Sequence, residues 1–196
     1  MLQSFFKPNI IEVGLDEVGR GSFAGPVVVA AVVFPNDFQT DLIRDSKKLT
    51  AKQRERAFKV IVENAIAFSV QAGSVIQINK YGIEEATSIA IKKCLDDIMD
   101  TWNVEHIIMD GNRFDNPFPE IPYETIVKGD DKYLSIAAAS IIAKVRRDEY
   151  MAKLAEIYPH YGWESNAGYH SKGHAEALKE HGVTPYHRTQ YVRNFI

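Results

Sequence analysis

Apolar side chains recur at Ile10, Ile11, Val13 and Leu15 in the alternating pattern of a half-buried strand. This first strand signal covers about 10–16 and ends in two adjacent carboxylates, Asp16 and Glu17. A second signal, at about 26–34, is apolar from Val27 to Phe34 without interruption, which predicts a central strand covered on both faces. Thr50 is placed to cap a helix with its body over Lys52 to Val62. A strand is expected near 66–75. From Ile83 to Trp102, Ile83, Ala86, Ala90, Cys94 and Ile98 recur at helical spacing, an amphipathic helix with Cys94 on its core stripe.

Two further short strands run into acids. Ile107-Ile108-Met109 leads to Asp110-Gly111, and Tyr123 to Val127 leads to Gly129-Asp130. A long helix over about 133–157 follows, rich in small residues at Ala137, Ala138, Ala139 and Ala143 that allow close packing on a sheet. The tail from about 159 is rich in turn formers, with a short helix expected at 172–181. Strands alternating with helices make the fold class α/β.

The chain has 196 residues, 45% hydrophobic and 25% charged, enough for an ordinary core. A net charge of −3 excludes a bulk polycation, so nucleic-acid contact requires a local basic surface. Cys94 is the only cysteine, which excludes an internal disulfide and a thiolate zinc cluster and suits a reducing cytoplasm. Met1 to Lys7 does not read as a signal peptide, and no apolar stretch is long enough for a membrane span.

The strand-end acids carry the candidate chemistry. Asp16, Glu17, Asp110 and Asp130 would repel strongly if they converged without cations between them. Two divalent cations would balance four carboxylates, the charge arithmetic of two-metal phosphodiester cleavage. Each acid also has an ordinary reading alone. Asp130 or Asp131 suits the N-cap or first turn of the long helix, and Asp110-Gly111-Asn112 suits a turn. Asp16 and Glu17 point to opposite faces of a regular strand, so joint ligation needs the strand to twist or end there.

Basic and aromatic residues add a second signal. Gly19 and Gly21, flanking Arg20, let backbone approach a ligand closely. Lys47, in Asp45-Ser46-Lys47-Lys48-Leu49, precedes a helix and is placed either to hold a phosphate or to sit in solvent. Lys144, Arg146 and Arg147 lie on the long helix, at least two of them expected on a charged outer face. Tyr169 can donate and accept a hydrogen bond, the chemistry needed to read a ribose 2′-hydroxyl, although packing explains an isolated tyrosine equally.

Taken in order, these segments resemble bacterial ribonuclease HII, a type 2 ribonuclease H family. Gly14-Leu15-Asp16-Glu17-Val18-Gly19-Arg20-Gly21 with Gly25-Pro26-Val27 is similar to its opening signature. Asp45 to Leu49, Asp110-Gly111, Lys128-Gly129-Asp130 with Ala138 to Asp148, and Gly168-Tyr169 with His181-Gly182 through His187-Arg188 resemble its later motifs. The family usually has a proline after the tyrosine, where this chain has His170. Ribonuclease HIII carries an extra domain before its Asp-Glu pair, and only fifteen residues precede Asp16 here.

The resemblance implies a ribonuclease H-like mixed five-stranded sheet flanked by helices. It implies a single domain over 1–196, with a core at about 10–157 and a C-terminal helical extension at about 158–196. It assigns catalysis and metal binding to Asp16, Glu17, Asp110 and Asp130, and substrate binding to Gly19, Arg20, Gly21, Lys47 and Tyr169. The implied cofactors are Mn2+ or Mg2+, two during catalysis. The implied partners are RNA–DNA hybrids and DNA duplexes containing ribonucleotides. The lone cysteine and the lack of a membrane-length apolar stretch lead to the expectation of a cytoplasmic protein with no membrane partner, and nothing in the sequence demands more than a monomer. Gln3-Ser4-Phe5-Phe6 loosely resembles peptides that dock on sliding clamps, and is read otherwise as an arm packed on the domain or disordered.

Overall fold

The computed structural model describes residues 1–196. Strands β1 (Glu12–Val18), β2 (Val27–Val33) and β3 (Ala67–Gly73) form an antiparallel meander. β4 (His106–Asp110) and β5 (Tyr123–Ile126) add on the other side of β1, parallel to it. The sheet order is β3-β2-β1-β4-β5, the mixed five-stranded sheet expected. The three parallel strands β1, β4 and β5 are adjacent, so their C-terminal ends share one edge. That edge is where ligands bind in sheets of this kind.

β2 is buried along its whole length, and its side chains divide between two layers. Val28, Ala30 and Val32 meet helix α1 (Ala51–Asn64) and the long helix α4 (Leu134–Ile157), through Ala57, Ile61, Ala137, Ala138, Ile141 and Ile142. Val29, Ala31 and Val33 meet Ala90, Ile91, Cys94, Leu95 and Ile98 of α3 (Ile83–Met99). Each fully buried valine, leucine or isoleucine side chain in these layers contributes about 1.5–3 kcal/mol. Cys94 is core as expected, its thiol pushed up to about 12 by burial.

Close approach of α4 to the sheet depends on Gly14. A Cβ there would lie 2.4 Å from Ser135 Oγ and 2.5 Å from the Ser135 carbonyl carbon. Thr50 caps α1 as expected, in a reciprocal box with Gln53. The strand expected near 66–75 stops at Gly73. Ser74 then caps a short helix, α2 (Val75–Tyr81), that the pattern did not predict.

The tail holds α5 (Trp163–Asn166), α6 (Lys172–His181) and α7 (Thr189–Val192). Tyr161, Trp163, Ala177, Leu178 and Val192 bury against Met151, Leu154 and Ala155 of α4. Phe23 and Ala24, just after the Gly-Arg-Gly segment, join the same cluster. This packing brings the tail beside the loop that follows β1.

Candidate active site

Asp16 follows Leu15, whose register partner on β4 is Met109, so Asp16 and Asp110 end neighbouring parallel strands. After β5 the backbone turns left-handed at Lys128, with φ 56, and enters a 3-10 turn over Gly129–Asp131. The Gly129 amide donates to Asp110 Oδ1 at 2.6 Å, which fastens this turn to β4. Asp130 is thereby carried inward. Oxygen atoms of Asp16, Asp110 and Asp130 all lie within 4.8 Å of one another. Asp130 is not a helix cap, because α4 begins at Leu134 with Tyr133 as N-cap. Asp131 faces outward and pairs with Lys48.

Glu17 lies outside that three-acid cluster. Strand alternation puts it on the α3 side with Val13 and Leu15, where it lines a cleft with Arg20, Glu84 and Asp110. Its Oε1 is 3.8 Å from Arg20 Nε. Its Oε2 is buried without a hydrogen-bond partner.

The cluster is electrostatically strained. Burial, then Glu17 and Asp110, hold the Asp16 carboxyl well above the usual range, with Ser140 acting in the opposite direction. Burial and then Asp110 raise Asp130, while Lys47 pulls it down. Glu17 is raised by burial and by Asp110 and Glu84, against the pull of Arg20. Lys47 Nζ, 3.3 Å from Asp130 Oδ2, is the only cation bonded to the three aspartates. Burial opposes the Lys47 charge, but Asp130 outweighs it and raises the ammonium above its ordinary value. A cluster of oxygen donors, with an orphaned carboxylate oxygen beside it and too little local positive charge, fits hard divalent cations. The ligand set contains no nitrogen or sulfur.

The Gly-Arg-Gly segment is built on two arginines of the tail and of α4. Arg147 is fully buried and donates from Nε to Pro26 O at 2.9 Å and from a terminal nitrogen to Ala167 O at 2.8 Å. Its other terminal nitrogen reaches Ser22 Oγ at 2.8 Å and Ala24 O at 3.0 Å. Arg188, also fully buried, donates to Gly25 O at 2.9 and 2.8 Å and to Arg20 O at 2.7 Å. Neither has a carboxylate partner within 4.0 Å, and burial and Arg147 push Arg188 down to about 10. Two buried positive charges behind this loop make its surface favourable to phosphate. Their role was not evident from the sequence, because their partners, main-chain carbonyls and the Ser22 hydroxyl, are remote along the chain. Arg147 departs from the charged face of α4, while Lys144 and Arg146 pair there with Asp148 and Glu149.

Gly19 has φ +94, and a Cβ on it would lie 2.2 Å from Arg147 Nε. Gly21 is exposed, with nothing near the position of a Cβ. Arg20 is partly exposed and bonds Glu84 of α3. Tyr169 lies under the Arg147 guanidinium, 5.2 Å from ring centroid to Cζ. Its turn is held by Gly168 O, which accepts from Phe23 N at 2.8 Å and Ala24 N at 3.1 Å. His170, in the place of the usual proline, packs its ring on Phe23 and Phe195. The structure thus gathers Asp16, Asp110, Asp130 and Lys47, sets Glu17 and Arg20 in an adjoining cleft, and joins Gly19 to Tyr169 through Arg147.

The N-terminal arm is seated on the domain. Gln3 bridges to Tyr133, Phe6 stacks on His106 at 5.6 Å, and Glu12 accepts from the amides of Phe6 and Lys7. No helix is long and apolar enough to cross a membrane.

Comparison with known proteins gives a consistent result. The family model described as Ribonuclease HII matches residues 13–194. A Ribonuclease HII of Bacteroides thetaiotaomicron is 47% identical over 191 residues, covering 97% of this chain and 94% of the relative. Among solved structures, ribonuclease H2 from Pyrococcus horikoshii OT3 superposes with a TM-score of 0.76 at 27% identity, covering 94% of this chain and 96% of that one. RNase HII of Archaeoglobus fulgidus, solved in a complex with PCNA, gives 0.75 at 25% identity, covering 92% and 95%. The chain belongs to the ribonuclease HII family, and with it to the metal-dependent nucleases that hydrolyse phosphodiester bonds.

Proposed function

We propose that this protein hydrolyses the RNA strand of RNA–DNA hybrids and cuts on the 5′ side of single ribonucleotides embedded in duplex DNA. The products are a 3′-hydroxyl and a 5′-phosphate. The observation that carries the reading is the convergence of Asp16, Asp110 and Asp130 at the ends of the parallel strands, with an unpaired Glu17 oxygen beside them.

In this reading Asp16, Glu17, Asp110 and Asp130 hold two divalent cations, Mg2+ or Mn2+. Bound there, the cations would activate the attacking water and neutralise charge on the leaving oxygen. The chain's own residues bind and orient the substrate. The Gly19 and Gly21 backbone, backed by Arg147 and Arg188, lies against the phosphate and sugar. Arg20 and Lys47 contribute positive charge, Lys47 by exchanging its bond with Asp130 for one to phosphate. Tyr169 reads the 2′-hydroxyl and distinguishes ribose from deoxyribose. All these residues come from one copy, so the reading requires only a monomer, working in the cytoplasm.

Asp110→Asn tests the carboxylate assignment. Turnover on a hybrid should fall by about a thousandfold or more, with the circular dichroism spectrum unchanged. Substantial residual activity would remove Asp110 from the ligand set.

A further inference from the structure

Behind Tyr169 lies a buried polar chain that the site above does not use. His174, on α6, and His187, near the C-terminus, are both buried, with their Nε2 atoms 3.0 Å apart. His174 Nδ1 is 2.9 Å from Tyr169 O. His187 Nδ1 is 2.9 Å from Thr184 N. Trp163 Nε1 is 3.3 Å from His174 Nε2.

These contacts allow one proton order. A carbonyl only accepts, so His174 Nδ1 carries a proton and donates to Tyr169 O. An amide N–H only donates, so His187 Nδ1 is bare and accepts from Thr184. With both rings neutral, His187 Nε2–H donates to bare His174 Nε2, which also takes the indole N–H of Trp163. Every ring nitrogen is satisfied, and direction runs from Thr184 through His187 and His174 to the Tyr169 carbonyl.

Tyr169 needs such a hold. Ala167, two residues before it, has φ 47, a left-handed conformation that a residue with a Cβ disfavours, so contacts rather than backbone preference alone must hold the turn. On one side the turn is fixed by Asn166, whose carbonyl accepts from Tyr169 N at 2.9 Å. On the other side the bond from His174 Nδ1 is the contact that fixes the orientation of the Tyr169 peptide.

We propose that His174, oriented by His187, is a positioning residue that holds Tyr169 for recognition of the substrate ribose. This rests on the reading of Tyr169 as the ribose sensor. His174 acts through the Tyr169 main chain and touches no reacting atom.

The test compares two polar replacements with opposite geometry. In His174→Asn the side-chain amide nitrogen takes the place of Nδ1 and can donate to Tyr169 O. In His174→Gln the amide reaches the place of Nε2, keeping a partner for Trp163 and His187 but losing the donor to Tyr169. Each is made alone and with Tyr169→Phe, and kcat and KM are measured on a DNA duplex containing one ribonucleotide. We expect His174→Gln to lower kcat about tenfold or more with KM changed less than about threefold, and His174→Asn to retain most of kcat. In the Tyr169→Phe background, His174→Gln should cost no more than about a further twofold. Equal losses in the two replacements, or a full extra loss in the Tyr169→Phe background, would overturn the positioning role while leaving the Tyr169 reading intact. An unchanged rate for Tyr169→Phe alone would overturn both.

Discussion

The guanidinium of Arg147 lies over the ring of Tyr169, 5.2 Å from its centroid, and its Nε occupies the space where a side chain on Gly19 would begin. One buried side chain on α4 therefore sets the spacing between the loop after β1 and the turn of the tail. Arg147→Lys keeps the charge but cannot span four acceptors from a planar fork. It should destabilise the protein by about 2–4 kcal/mol, read from urea unfolding. A loss below about 0.5 kcal/mol would mean that the fork is dispensable.

Gly14→Ala tests the packing of α4 on β1. The new Cβ meets the backbone of Ser135 as well as its side chain, so relief requires the helix to move. A loss of about 1–3 kcal/mol is expected, with a comparable lowering of activity because α4 also carries Ser140 and Arg147. An unchanged melting temperature would contradict this packing.

The helices and strands with a marked apolar pattern, on one face or both, were legible in the sequence. Val13 and Leu15, the uninterrupted β2, the stripe of α3 and the small residues of α4 each fall where their periodicity put them. α2 was missed: the strand expected near 66–75 was carried past Gly73, and the seven residues of the helix are too few to show a helical period, although Ser74 and Gln77 have capping-box spacing. Asp16 and Asp110 were legible because they end apolar runs. The separation of Glu17 from them follows from strand alternation, but its buried, unpaired oxygen is a property of tertiary packing. Arg147 and Arg188 lie in segments that resemble the family, but most of their acceptors are more than a hundred residues away, so the bonds they make could not be read locally. The contact between His174 and His187 joins α6 to the segment before α7 and appears only once both are folded against Tyr169.

Histidine burial gives a pH dependence. Burial, then His174, push His187 down to about 4 from an ordinary 6.5. Burial lowers His174 as well, with His170 adding to it against the Tyr169 carbonyl. The folded state therefore binds protons less readily than the unfolded one. The stability is present above pH 6.5 and is lost as pH falls towards about 4. The advantage of the native chain over His187→Gln in unfolding free energy should narrow by about 2–3 kcal/mol over that window. A constant difference would contradict neutral burial of His187.

The carboxylates titrate with the opposite sign. Asp16, Glu17 and Asp130 are raised in the fold, so without cations their contribution is most favourable below the unfolded carboxylate range and declines as pH rises through their raised values. Bound divalent cations offset that loss. Adding Mg2+ or Mn2+ in excess should raise the melting temperature at pH 8 more than at pH 5. Chelation should reverse the effect, and Asp110→Asn should largely remove it. An equal rise in Asp110→Asn would assign the effect to another site.

The N-terminal arm is committed to the domain through Gln3, Phe6 and the Glu12 carboxylate. A sliding clamp would have to detach it. Titration of a clamp should give the same affinity for the whole chain and for a chain lacking residues 1–7. A weaker affinity for the shortened chain would make the arm a docking peptide.

A carboxylate site that cuts next to ribose must discriminate among three duplexes presented with Mg2+ or Mn2+: a full RNA–DNA hybrid, a DNA duplex with one ribonucleotide, and the same duplex in all-DNA form. This specificity predicts cleavage of the first two, on the 5′ side of the ribonucleotide in the second, and none of the third. Cleavage of the all-DNA duplex at a comparable rate, or of none of the three with cations present, would contradict it.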